Sequence, residues 1–299
     1  MPISLQARFW RALLRIIIKG QHLSLANKRE QQTKNARFMN RLPAGVTVTC
    51  THANGIPVAW IKTENAPPEK VILYLHGGGY VLGGLESHQM LCGTLAKQAG
   101  LNLLLPEYRL APEHPFPAAL EDVSQTYAWL LDQNYKPENI FIAGDSAGGG
   151  LAIATALHLR ESGLPLPAAL ICLSPWADLT FQGQTHQTQT DAEVLLRADE
   201  LQEWAGFYAA GHDRSHPLIS PVYADFSGLP RLFIQVGSDE VLLDDARRLA
   251  EKAKSDGVDV ALNIWPGMWH VWHSLGAFMP ESRQAFQEIS AFIQQVSGE

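Results

Sequence analysis

Cysteine is scarce in this 299-residue chain: there are three, Cys50, Cys92 and Cys172, an odd number with wide spacing and no C-x-x-C pair. That argues against a disulfide framework, and free, buried thiols in a reducing compartment are the expectation. Charge is sparse as well, at 18% of residues, and there is no basic excess, because the formal net charge is −7. An acidic surface of this kind argues against a nucleic-acid partner. A long apolar run is also lacking. Residues 8–20 carry Arg8, Arg11, Arg15 and Lys19 among Phe9, Trp10, Leu13, Leu14 and Ile16 to Ile18. Arg15 interrupts the run and no small-residue cleavage site follows, so it is neither a secretory signal nor a bilayer span. Leu5, Phe9, Leu13 and Ile16 or Ile17 instead recur at helical spacing. A basic amphipathic helix can lie on a membrane, but packing on its own domain is the commoner arrangement and is expected here, with no stable membrane anchor. Internal repeats and low-complexity tracts are absent.

What is present is a 46% hydrophobic composition, enough for a sizeable core, laid out as alternating strands and helices. Val46 to Cys50 and Ile56 to Trp60 flank Ala53-Asn54-Gly55, which predicts a hairpin. Short apolar strands follow at 71–75, 101–105, 139–143, 168–173, 231–236 and 260–265. Helices are expected over 88–98, along the face Phe116, Ala119, Leu120, Val123, Tyr127, Leu130 and Leu131, and over 147–161, 241–255 and 281–296. Wholly apolar strands separated by helices imply an α/β fold with a mostly parallel sheet covered on both faces, the hairpin forming its antiparallel edge.

Two stretches break the alternation, residues 1–42 and 177–222. The second places Trp204, Phe207 and Tyr208 on one helical face and is too long for a structureless loop. Together they read as a helical cap over the sheet's C-terminal edge, where open α/β sheets bind ligands, leaving 43–176 and 223–299 as the core.

The most informative run is Gly144-Asp145-Ser146-Ala147-Gly148 between the strand at 139–143 and the helix at 147–161. A tight strand–turn–helix with serine at its apex lifts a hydroxyl clear of the backbone, where a base can reach it. His76-Gly77-Gly78-Gly79 ends the strand 71–75. Acyl transfer builds negative charge on a carbonyl oxygen, and three glycines let consecutive N–H groups aim at one point. The amide of Ala147, at a helix N-terminus, adds a donor. A phosphate cradle would need a Gly-Lys-Ser/Thr ending or G-x-G-x-x-G opening a helix, and Tyr80-Val81-Leu82 follows instead. His76 is read as structural, holding the loop through its ring nitrogens.

Eleven histidines compete for the base. His270, in Gly267-Met268-Trp269-His270 just past the strand 260–265, is preferred to His273 because it is nearer the strand end. For the acid, Asp239 follows the strand 231–236, with Glu240 its nearest rival. Asp244 and Asp245 are read as complementing a helix dipole. The order Ser146, Asp239, His270 is the one this architecture expects.

These motifs, with Gly83, His88 and the run Tyr108-Arg109-Leu110-Ala111-Pro112-Glu113, make nearly the whole chain resemble the hormone-sensitive-lipase-like branch of the α/β-hydrolases, which includes bacterial carboxylesterases. The resemblance implies an eight-stranded α/β-hydrolase sheet with a cap, nucleophile Ser146, base His270, acid Asp239, and oxyanion donors Gly78, Gly79 and Ala147. It requires no cofactor and no metal. His212, Asp213 and His216 have metal-like spacing but read as a solvated loop. The family often has Asp-Pro-Leu at the acid, where this chain has Asp239-Glu240-Val241. Arg109 and Glu113 are expected to form a structural ion pair beneath the site.

The activity implied is hydrolysis of short- or medium-chain acyl esters, or of lactones, in a cytoplasmic enzyme. Tyr80, Trp204 and Phe207 are expected to wall an apolar pocket. An acyl-peptidase or amidase would use the same triad, and a ligand-binding receptor would use the same fold without turnover. A homodimer through the last strand and helix, with Trp265, Trp269 and Trp272 near that edge, would be compatible.

Overall fold

The computed structural model describes residues 3–18, 23–39 and 42–298. Among them the chain runs through α1 (Leu5–Ile18), α2 (Leu25–Met39), β1 (Val46–Ala53), β2 (Ile56–Thr63), β3 (Val71–Leu75), α3 (Leu85–Ala99), β4 (Asn102–Pro106) and α4 (Ala118–Asp132). It continues with β5 (Ile140–Asp145), α5 (Ala147–Glu161), β6 (Ala169–Leu173), the single turn α6 (Thr185–Thr188), α7 (Ala198–Ala209), β7 (Arg231–Gly237), α8 (Leu243–Ser255), β8 (Val260–Trp265) and α9 (Pro280–Ser297).

The eight described strands form one sheet in the order β1-β2-β4-β3-β5-β6-β7-β8. β2 is antiparallel to both β1 and β4, and the remaining pairs are parallel. The β1–β2 hairpin turns through Asn54 and Gly55, both at positive φ, as two-residue hairpin turns require. Every residue of β3, β5 and β6 is buried. That is why those strands read as continuous apolar runs rather than alternating ones.

One core layer packs α4, α5 and α8 on one face of the sheet, and a second packs α3 and α9 on the other. α5 is buried along nearly its whole length. Gly148 brings its first turn against β3, because a Cβ there would collide with the carbonyl of Leu75. This contact sets the sharp strand-to-helix turn that carries Ser146.

The segments before β1 and between β6 and β7 touch each other. Lys28 of α2 pairs with Glu200 of α7 at 2.9 Å, and Arg15 of α1 donates to the carbonyl of Asp191. α1 is a helix as the spacing predicts, but its inward face is Ala7, Trp10, Arg11 and Leu14. The stripe singled out from sequence lies outside, with Leu5 78%, Phe9 61% and Ile16 81% exposed. Large apolar residues occur on more than one face of this helix, so periodicity alone does not choose the buried one. Lys19 lies outside the described residues.

Three further expectations are corrected. Cys92 and Cys172 are buried free thiols, but Cys50 is exposed, because β1 is an edge strand. Trp269 and Trp272 are fully buried in a cluster with Ala7, Met268 and Met279, so they are not surface residues at the β8 edge. Arg109 does not pair with Glu113. It binds Asp122 and Glu121 of α4, while Glu113 binds Arg29 of α2 at 2.7 Å.

Candidate active site

Ser146 stands between β5 and α5 at φ 53 and ψ −123. A non-glycine residue rarely adopts this conformation, and such strain persists only where the surroundings over-determine it. Here the Ser146 N–H donates to the Leu173 carbonyl, and the Ser146 carbonyl receives the amides of Gly149, Gly150 and Trp176. The serine backbone is therefore locked to the ends of β6 and α5.

Asp145, buried beside it, ties this turn to the glycine loop. Its Oδ1 accepts the Tyr74 hydroxyl at 2.8 Å and the Gly77 amide at 3.1 Å, with His88 Nε2 at 3.5 Å. Burial raises its pKa, but the charge and hydrogen bond of His88 and the bond from Tyr74 outweigh that, so the carboxyl is held below its usual value. The residue before the serine thus fixes the start of the glycine loop, a role the motif alone does not reveal.

Gly78 and Gly79 follow at φ 118 and 62. Among the described residues, the amides of Gly78, Gly79 and Ala147 donate to no protein acceptor. A side chain at Gly79 would collide with the ring of Trp204, so α7 rests directly on the loop. His76 is structural, as expected, but through one ring nitrogen only: Nδ1 lies 2.8 Å from the Gly77 carbonyl, and Nε2 is buried without a partner. Its ring stacks on Tyr108 at 4.0 Å. Burial, and then the neighbouring His88, pull its pKa down to about 3, so it stays neutral.

His270 is buried, and its Nδ1 lies 3.1 Å from Oε2 of Glu240. This corrects the assignment of Asp239. Asp239 is partly exposed and binds Arg11 of α1 at 2.7 Å and the Ser238 hydroxyl at 2.7 Å. The cause is the turn after β7. The amides of Ser238 and Asp239 bind the carbonyls of Trp265 and Met268, directing residue 239 outward and residue 240 inward. The additional methylene of glutamate lets it reach the imidazole. Glu240 is fully buried, and its Oε1 accepts the Ser174 hydroxyl at 2.7 Å and the Gly237 amide at 2.6 Å. The signal available in the sequence was the missing proline of Asp-Pro-Leu.

Ser174 had no motif to announce it. Its Oγ also accepts the Val271 amide at 3.2 Å. One side chain therefore joins the loop after His270, the carboxylate of Glu240 and the end of β6 that binds Ser146. Burial disfavours the His270 imidazolium, but the hydrogen bond and charge of Glu240, with the charges of Glu193 and Asp145, outweigh it and raise the pKa. His273 is excluded as a rival. Its Nε2 is taken by Gln235 at 3.0 Å, and burial lowers its pKa to about 3. Asp245 stands in the first turn of α8, as a dipole complement would, but it does more. Fully buried, it accepts the amides of Ala177 and Asp178 and binds His186 at 2.8 Å.

Of the expected pocket residues, Tyr80 is buried and stacks on Tyr208 at 3.6 Å, and Trp204 covers Gly79. Phe207 is only partly buried against the core, and it is Tyr208 that meets Tyr80. A cavity of about 260 Å³ is lined by Ile18, Thr190 and residues 193–199, and a shallower one of about 380 Å³ by Arg29, Gln32 and Glu113 among others. Neither is lined by Ser146, so the site is identified by strain, free amides and the held imidazole. Among the described residues no cluster of side chains could hold a metal ion, and His212 and His216 flank the ring of Phe116.

A family model described as the alpha/beta hydrolase fold matches residues 72–274. The chain belongs to the α/β-hydrolases. Its branch is the hormone-sensitive-lipase-like one: a solved esterase of the bacterial hormone-sensitive lipase family superposes with a TM-score of 0.95 at 38% identity over all of both chains. An acetyl-hydrolase of Streptomyces hygroscopicus is 45% identical over 86% of this chain and 85% of its own. EstE5, an esterase whose crystal was soaked with p-nitrophenyl butyrate, is 38% identical over 99% of this chain and all of its own, with a TM-score of 0.94.

Proposed function

We propose that Ser146, His270 and Glu240 form the catalytic relay, with the amides of Gly78, Gly79 and Ala147 as the oxyanion hole. The enzyme is a carboxylic ester hydrolase. The observation that carries the residue assignment is the imidazole of His270 held on the fully buried carboxylate of Glu240. Glu240 fixes the tautomer with hydrogen on Nδ1, which leaves Nε2 free to accept a proton. Ser146 Oγ attacks the ester carbonyl carbon as its proton passes to His270. The oxyanion is held by the three amides, each contributing roughly 3 kcal/mol to the transition state. The C–O bond to the leaving alcohol then breaks, and the alcohol takes the proton from His270. Water, deprotonated by His270, attacks the acyl carbon; the bond from that carbon to Ser146 Oγ breaks, His270 returns the proton to Oγ, and the acid leaves.

The substrates proposed are short- to medium-chain acyl esters, lactones included. The stacked Tyr80 and Tyr208 and the ring of Trp204 over Gly79 set aromatic surface against the glycine loop, and residues 1–42 and 177–222 are proposed as its cap. Support also comes from the names of relatives, an acetyl-hydrolase and an esterase soaked with a butyrate ester. A cytoplasmic location fits three cysteines of which none is paired. No described helix is long and apolar enough to cross a membrane. A homodimer would use the open edge of β8. A series of p-nitrophenyl esters from acetate to palmitate, with several lactones, tests the substrate range. The reading expects kcat/KM to peak at eight carbons or fewer; a maximum at palmitate would refute it.

A further inference from the structure

We propose that Glu193, in the stretch between α6 and α7, is a positioning residue that holds the backbone of His270 from the cap and thereby couples the cap to the base. The inference rests on the reading of His270 as the base.

Glu193 is 1% exposed and forms no ion pair with a lysine or arginine among the described residues. A buried carboxylate without a cation is costly unless hydrogen bonds compensate it. Here the compensation is entirely backbone. Oε1 accepts the amides of Val194 and Leu195, both at 2.8 Å, and Oε2 accepts the amide of His270 at 3.2 Å. The first pair fixes the carboxylate within the cap, and the third bond carries that position to the catalytic loop.

The His270 loop needs such a hold. Val271 lies at φ 45 and ψ 46, a left-handed conformation that is unfavourable for a β-branched residue. Two hydrogen bonds oppose its relaxation. The His270 amide is held by Glu193, and the Val271 amide by Ser174 Oγ. Cap and core therefore grip adjacent peptide groups on either side of the His270 Cα. Releasing the cap side lets Val271 turn toward negative φ and swings the ring away from Glu240. Glutamine cannot substitute, because both carboxylate oxygens face N–H donors and its amide nitrogen would oppose one of them.

The charged and titratable groups that act on His270 are Glu240, Glu193 and Asp145, with His273 behind it. Removing Glu193 subtracts one negative charge from this set. The test compares wild type, Glu193→Gln, Glu193→Ala and a cap-packing control, Leu201→Ala, whose side chain is buried in the core layer that also holds α4, α5 and α8. Active enzyme is counted by fluorophosphonate titration, so poor folding does not distort kcat. For both Glu193 variants the expectation is a fall in kcat of roughly 10- to 100-fold per active site, as for a misplaced base. The acid limb of kcat/KM should move to lower pH by roughly half a unit or more, with Leu201→Ala unmoved in both. Wild-type kcat per active site and an unmoved acid limb in the Glu193 variants would overturn the proposal. Failure of wild type itself to turn over esters or to be labelled would instead overturn the reading of the site.

Discussion

Replacing Glu240 by glutamine separates the two acidic neighbours most sharply. The glutamine oxygen is drawn to the Oε1 position, where the Ser174 hydroxyl and the Gly237 amide both donate. Its NH2 then faces Nδ1 of His270, where a carboxylate oxygen stood at 3.1 Å. Two donors cannot share that contact, so the imidazole moves its hydrogen to Nε2 and loses the lone pair that would accept the serine proton. In a serine relay the wrong tautomer lowers kcat by about 10⁴ with little change in geometry, which is about 5 kcal/mol of barrier. Asp239→Asn disturbs a partly exposed pair with Arg11, a contact on the scale of 0–1 kcal/mol, and the bond from the Ser238 hydroxyl, neither of which touches His270, so its kcat should stay within roughly threefold of wild type. The assay is p-nitrophenyl butyrate hydrolysis at pH 8, with circular dichroism to verify the fold. A Glu240→Gln enzyme near wild-type activity, alongside a crippled Asp239→Asn, would refute the reasoning.

Three other expectations follow from the same contacts. Because the His270 pKa is raised while those of His76 and His273 fall to about 3, a single acid limb should appear in kcat/KM, above the ordinary histidine value. A limb below that value would contradict the raised pKa. Gly79→Ala should lower kcat by roughly 10²-fold or more, since Gly79 is at φ 62 under the Trp204 ring. Adding Trp204→Ala should return part of the loss, and no return would mean that the cap contact is not the cause. Ser174→Ala removes a buried hydroxyl serving Glu240 and Val271, so the urea midpoint should fall by the equivalent of about 1–3 kcal/mol. An unchanged midpoint would show that the loop is held by other means.

The sheet was legible because β3, β5 and β6 are buried on both faces and carry an uninterrupted apolar signal. Ser146 and the glycine loop were legible because their backbone conformations demand particular residues at fixed spacing. The carboxylate that meets His270 was not, since which of two adjacent carboxylates turns inward depends on carbonyls supplied by Trp265 and Met268, far along the chain. Glu193 and Ser174 were invisible for the same reason: each acts through a backbone amide of the His270 loop, and such contacts leave no pattern in sequence. The inward face of α1 was misjudged because Arg11, a charged residue, points inward to Asp239, while Phe9 and Ile16 point outward.

The central claim is that Ser146 is the attacking group and that Glu240 and His270 make it so. Treating the enzyme with diethyl p-nitrophenyl phosphate and mapping the adduct by peptide mass spectrometry tests this most directly. The account predicts one diethylphosphoryl group on the peptide containing Ser146, absent in Ser146→Ala and formed far more slowly in Glu240→Gln. Modification at another residue, or ester turnover surviving in Ser146→Ala, would contradict it.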